Sequence, residues 1–219
     1  MSAHAPRRTG RWLRGAAAAL AVISAPGAEL VVRDVRIGLE YLPTDFDYEL
    51  TAPQGTRSGS DSFDSTYGIS LGSDWSLVGA GSTHGLVLGG ELLVAQVSYA
   101  DGDGLFYGAR IEAGYAWAIT DRWSVAAYAL GGGGVMTFDL TAAESFPDYS
   151  SSGTWFDYGA EVRVQFNLTD RFAIALEGGW QAISADLSGD DIDLTLDLAG
   201  PAASLTFTWR FTTAPAPLD

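Results

Sequence analysis

His84, in Ser82-Thr83-His84-Gly85, is where nucleophilic or metal chemistry would have to begin. The other histidine, His4, sits near the amino terminus, and the chain has no cysteine. One imidazole among scattered acids lacks the three or four ligands of a zinc site. As a general base for Ser82 or Thr83 it would need an orienting carboxylate and an oxyanion site, and the sequence marks neither. Gly131 to Gly134 put four glycines in a row. No Lys-Ser/Thr follows and no strand-to-helix turn surrounds them, so they are read as a strand packed closely by its neighbours rather than as a phosphate cradle. The expectation is no catalytic residue, no metal and no cofactor.

The other candidates are charges at strand spacing. Arg36, Glu40, Arg110, Glu112, Asp157, Glu161, Arg163, Glu177 and Arg210 all stand among glycines and alanines. Each lies on the polar side of a segment whose residues alternate with period two. The clearest segment is Phe156 to Asn167: Phe156, Tyr158, Ala160, Val162, Val164 and Phe166 form one face, and Asp157, Gly159, Glu161, Arg163, Gln165 and Asn167 the other. Successive strand side chains point to opposite faces, so such a segment is a strand with one apolar and one charged side. The same pattern runs through Val35–Tyr41, Tyr107–Ile119, Phe172–Gln181 and Ser204–Phe211, and less cleanly near 63–73, 86–99 and 123–138. That makes eight strands.

The joins alternate in length. Thr120-Asp121-Arg122 and Thr169-Asp170-Arg171 are tight turns, each followed by an aromatic residue. The stretches 44–62, 100–105, 139–153 and 186–197 are long, polar and acidic, and 74–85 is the third join on the short side. The long joins carry Asp45, Asp47, Glu49, Asp61, Asp101, Asp103, Asp139, Glu144, Asp148, Asp186, Asp190, Asp191, Asp193 and Asp197, against Arg57 alone. Their spacing is not that of an EF-hand. They are read as a solubilising rim, with divalent-cation bridging to a lipopolysaccharide surface as the weaker alternative.

Ahead of the strands lies an address. Arg7, Arg8, Arg11 and Arg14 precede the short apolar run Gly15–Ile23 and the small residues Ser24 to Ala28, the layout of a secretory signal peptide over residues 1–28. The remainder has eight arginines against 27 acids, a net of −19, and no lysine at all. A chain this acidic is not suited to nucleic acid, whose phosphates require a basic patch. No run of 18 apolar residues offers a membrane helix.

Eight alternating strands build either a soluble barrel with its apolar face inside or a membrane barrel with that face outside. Three features favour the membrane. Tyr107 and Trp117, and likewise Phe156 and Phe166, are ten residues apart on the apolar side. At about 3.3 Å per residue and a tilt near 40°, that spacing spans roughly the 25 Å of an outer-membrane apolar band. Tyr41, Tyr115, Tyr158, Phe172, Trp180, Phe207, Trp209 and Phe211 complete two candidate lipid-facing girdles. The mixed charges on small-residue walls suit a narrow interior of ion pairs. Finally, Leu205-Thr206-Phe207-Thr208-Trp209-Arg210-Phe211 ends the chain's strands with alternating aromatics.

On these residues the chain resembles the small eight-stranded outer-membrane barrels of Gram-negative bacteria, of the OmpA transmembrane domain and OmpX type. The resemblance covers residues 31–211 at the level of pattern. It implies an all-β, eight-stranded antiparallel up-and-down transmembrane β-barrel over 29–211, located in the outer membrane after export. It implies outer-membrane lipid and lipopolysaccharide as surroundings, and recognition of the last strand by the barrel assembly machinery. The glycine that family carries upstream in its terminal signal is replaced here by Ser204 or Thr206. The tail 212–219 resembles the Ala-Pro linker of OmpA-like proteins. The function expected is a structural or surface-interaction role with a lumen filled by paired charges; a narrow solute channel and a soluble lipocalin-like ligand-binding barrel are the alternatives.

Overall fold

The computed structural model describes residues 30–77, 83–99, 102–140, 149–189 and 192–211. The expected signal peptide (1–28), the tail (212–219) and the loop acids Asp101, Glu144, Asp148, Asp190 and Asp191 lie outside these residues. All regular structure is antiparallel strand: β1 (Leu30–Tyr41), β2 (Asp45–Ala52), β3 (Gly55–Ser62), β4 (Ser65–Leu77), β5 (His84–Tyr99), β6 (Gly102–Ala118), β7 (Trp123–Leu140), β8 (Tyr149–Asn167), β9 (Phe172–Gly189) and β10 (Ile192–Arg210).

The described residues hold ten strands where eight were expected, and the reason is local. The pairing runs β1-β4-β5-β6-β7-β8-β9-β10, and β10 pairs back to β1, so eight strands close a ring. The two extra strands form a hairpin within 44–62, a stretch read from sequence as a loop. β10 pairs Ala203 with Tyr41 of β1 and, five residues on along each strand, Leu198 with Phe46 of β2. β2 therefore continues the line of β1 above an interruption at Leu42-Pro43-Thr44. Pro43 has no amide to give, and neither does Pro201, which that register sets opposite it. The other long joins are likewise strand where they are described: β7 and β8 reach Leu140 and Tyr149, and β9 and β10 reach Gly189 and Ile192.

The wall is strongly staggered. Hydrogen-bonded partners traced once around it lead from Arg36 through Gly72, Glu91, Arg110, Gly132, Asp157, Ile183 and Leu198 to Phe46, ten residues further along the first line. Such a shear is what tilts the strands of a closed barrel. Both tight turns are pinned alike. The Thr120 hydroxyl accepts the amides of Arg122 and Trp123, and that of Thr169 accepts those of Arg171 and Phe172.

The alternation is realised in the wall. In the lower part of the barrel, next to the tight turns, Ile37, Leu39, Ile69, Leu71, Leu92, Ile111, Val162 and Leu176 are exposed on the outside, while Arg36, Arg110, Glu112 and Arg163 are buried inside. Higher up the inside becomes apolar: Leu93, Val97, Phe106, Met136, Phe138, Trp155, Ile183, Leu187, Leu196 and Leu198 form one buried cluster.

Candidate functional site

The charged layer is built from side chains of six wall strands that strand parity turns inward. Arg36 (β1) pairs with Asp74 (β4) at 2.5 Å, with Glu91 (β5) at 3.4 Å, and with Glu112 (β6). Arg163 (β8) pairs with Glu177 (β9) at 2.8 Å, with Asp74 at 2.7 Å and with Glu112 at 3.4 Å, and its guanidinium lies 4.5 Å from the Tyr128 ring centre. Arg110 (β6) pairs with Asp157 (β8) at 2.5 Å and with Glu91 at 3.4 Å, and reaches Glu40 (β1) at 4.0 Å. Each guanidinium is thus shared by several carboxylates, as its five fixed donors permit.

Neutral donors complete the layer. Ser70 donates to Glu40 at 2.6 Å, Thr206 to Glu177 at 3.0 Å, and Gln181 to Glu161 at 3.1 Å. Eight of the nine charges singled out from sequence therefore meet in one layer. The ninth, Arg210, stands apart at the lower mouth, half-buried and 3.5 Å from Asp34. Sequence reading passed over Asp74 and Glu91, which tie the three arginines together. Asp74 fell in a stretch read as a join, and Glu91 in one whose alternation is blurred by Gly89-Gly90 and Leu92-Leu93. Counting inward from Arg36 across the register would have found Glu91.

Above the charges lies the apolar layer, and its largest member is Trp155, 1% exposed. Its indole donates to the carbonyls of Val135 (3.1 Å) and Tyr107 (3.3 Å). Glycine makes this seat possible. A Cβ on Gly108 would meet the Trp155 ring at 2.6 Å and the Gly133 carbonyl, and one on Gly132 would meet the Arg110 side chain at 2.6 Å. The four-glycine run is therefore a stretch of wall thinned to admit large neighbours.

Below the charges a cavity of about 400 Å³ opens at the tight-turn end, with Asp34, Asp74, His84, Tyr128, Arg163 and Arg210 among its walls. His84 is exposed at that mouth; its Nδ1 and the Tyr115 hydroxyl share a hydrogen bond, and the rings stack at 5.6 Å. Among the described residues no group of three or more His, Cys, Asp or Glu is arranged to hold a metal ion.

The aromatics assigned to girdles all lie on the outer side of the wall. Phe156, Tyr158, Trp180, Tyr41 and Tyr107 stand toward the long hairpins, and Trp117, Phe166, Phe172, Phe207, Trp209 and Phe211 toward the tight turns, with Tyr115 half-buried beside Trp117. Tyr67 and Trp123 belong with them and were not singled out from sequence. At the lower edge the rings pair across strands, Trp123 with Phe166 at 4.7 Å and Phe172 with Trp209 at 4.6 Å.

The rim above the band has its own polar pair. The Tyr99 hydroxyl donates to Asp61 at 2.7 Å. That bond, with the Ser62 amide, holds the Asp61 carboxyl below its ordinary value, and it is the main reason the Tyr99 phenol is pushed up to about 12.

Comparison with known proteins agrees with this architecture. The family model described as "Outer membrane protein beta-barrel domain" matches residues 15–211, and the chain belongs to that family. Similar solved structures include Ail of Yersinia pestis in complex with the heparin analogue sucrose octasulfate (17% identity, 83% of this chain and 100% of that one, TM-score 0.37). They also include OprG of Pseudomonas aeruginosa (12%, 85% and 99%, 0.47) and the outer membrane protease OmpT of Escherichia coli (8%, 86% and 99%, 0.49). No curated protein matches the sequence. The protein is accordingly an outer-membrane protein in contact with outer-membrane lipid.

Proposed function

We propose that this outer-membrane barrel is a structural, surface-interaction protein whose lumen does not conduct. The observation that carries the reading is the double filling of the interior: a layer of shared ion pairs and, above it, a buried apolar layer around Trp155, Phe106, Met136 and Leu198. Eight strands leave a bore only wide enough for side chains, and here side chains occupy it at two levels. The cavity at the tight-turn end reaches the charged layer from below, so it is a blind vestibule rather than a pore. Reconstitution into planar bilayers tests this. Absence of steady single-channel steps is expected; steady steps that vanish on substitution of Arg110 or Arg163 would establish the channel instead.

In this reading the exposed aromatics are the two interfacial girdles, and the tight turns face the periplasm, as short turns do in such barrels. Phe207, Trp209 and Phe211, on the outer face of the end of β10, are the residues offered to the barrel assembly machinery. In this reading the role is non-enzymatic, and His84 at the periplasmic mouth is engaged with Tyr115. The acidic rim meets the lipopolysaccharide surface, with divalent cations as the bridge. Unchanged melting after chelation of Ca²⁺ and Mg²⁺ would remove the bridge from this account.

A further inference from the structure

Strand β3 ends the paired sheet of the rim. It pairs with β2 on one side, and among the described residues no strand pairs with its other edge. The cause is the stagger of the wall. β4 pairs with β5 only as far as Ser65 with Ser98, and β5 stops at Tyr99, so β3 rises past its neighbour. The direction of its amides is fixed by its lower end. Phe63 donates to the Thr44 carbonyl at 2.9 Å and Asp64 to the Ser98 carbonyl at 2.8 Å. Odd-numbered residues on this line therefore bond toward β2, and Thr56, Ser58, Ser60 and Ser62 turn their amides and carbonyls to the outer edge. The edge is eight residues long, Gly-Thr-Arg-Ser-Gly-Ser-Asp-Ser, and nearly all exposed.

We propose that this edge pairs with the same edge of a second copy, antiparallel about Gly59. That register is the one its own chemistry selects. It sets Ser58 opposite the partner's Ser60 and Thr56 opposite the partner's Ser62, so the four residues with outward amides form the hydrogen-bonded pairs. It sets Arg57 opposite the partner's Asp61, and Asp61 opposite the partner's Arg57, in the non-hydrogen-bonded pairs where side chains approach most closely. Charges on an edge strand ordinarily repel foreign strands. Here the two opposite charges are placed symmetrically about a glycine, so the strand that neutralises both is its own copy, which is selectivity by charge register. Because β3 runs from the rim toward the membrane, an antiparallel partner runs the other way. The two copies meet head to head, from two facing membranes.

The inference rests on the reading of the rim as an interaction surface, but its test is separate from conductance. The full chain is studied by sedimentation in detergent micelles and by light scattering of phosphatidylcholine–phosphatidylglycerol vesicles carrying it. The wild type is expected to dimerise in micelles and to tether vesicles. R57D and D61R alone each replace two attractions by two repulsions, and each should weaken association about tenfold or more. An equimolar mixture of R57D and D61R, and the double variant R57D/D61R, restore opposite charges at both positions and should regain it. Unboiled gel mobility verifies that each variant is folded. A wild type that stays monomeric, single variants that associate as well as the wild type, or a mixture no better than its components would each overturn the proposal, whatever other strand the edge then accepts. Steady conductance, by contrast, would overturn the closed-lumen reading and leave this one standing.

Discussion

The two ends of β9 obey opposite rules. Toward the tight turns its outer side reads Phe172, Ile174, Leu176 and Trp180, and its inner side carries Ala173, Ala175, Glu177 and Gln181. Toward the rim the outer side reads Ser184, Asp186 and Ser188, and the inner side Ile183, Ala185 and Leu187. β10 reverses in the same way, with Leu194, Leu196 and Leu198 inside near the rim, and Thr206 and Thr208 inside below. The period of two is unbroken while the apolar phase changes face. The lower region is an inside-out barrel solvated by lipid; the upper is an ordinary water-soluble one, with its apolar side chains gathered in the middle. What distinguishes them is the phase of the pattern, not its presence.

The lower layer is broken most severely by removing one cation from it. Arg163→Met strands Glu177 and part of the hold on Asp74 and Glu112, and should cost about 3–5 kcal/mol of stability in urea unfolding from micelles. In the upper layer, Trp155→Ala leaves a large cavity and two carbonyls without their donor, and should cost a comparable ~3–5 kcal/mol. A near-zero loss for either would mean that its layer is not packed as described.

The contrast between the regions is sharpened by one substitution made twice on the same face of β9. Leu176→Arg, in the band, should cost about 2–4 kcal/mol in lipid. Ser184→Arg, eight residues further along that face, should change stability by less than about 0.5 kcal/mol. Equal costs would erase the boundary between the two solvents.

The smallest effect belongs to Tyr99 and Asp61 on the rim. Asp61 titrates below its ordinary value when folded, so its contribution is present above the unfolded carboxylate range and lost as pH falls through the folded one. The Tyr99 phenol is raised, so its contribution is present below pH 10 and lost as pH climbs toward about 12. Tyr99→Phe removes the bond, so it should lower the centre of the stability profile slightly, leave its acid and alkaline extremes nearly unmoved, and so flatten both limbs.

The lower region was legible in the sequence because lipid demands an apolar residue at every second position, and segments such as Phe156–Phe166 satisfy that demand without exception. The charged layer followed from the same parity. Asp74 and Glu91 escaped because β4 and β5 cross the change of phase or adjoin an unclear turn: Val87, Leu93, Ala95 and Val97 point inward beside Glu91, so neither face of β5 is uniformly polar. The hairpin of β2 and β3 escaped for another reason. β3 is mostly Gly, Ser and Asp, which disfavour strands, and β2, although Phe46, Tyr48 and Leu50 alternate along it, is held in the sheet by pairing with β10, a contact far away in sequence. Trp155 sits on the charged face of the cleanest strand, and only the glycines of β6 and β7 opposite it hinted that a large ring was seated there.

β10 belongs to both regions through two different neighbours, holding β1 along Ala203–Arg210 and β2 along Asp193–Leu198. Zipping that last segment therefore seals the cylinder and erects its crown in a single event. A chain without Asp193–Arg210 would possess neither a shut wall nor a displayed tip, which makes the outward appearance of the crown a built-in certificate that assembly has finished.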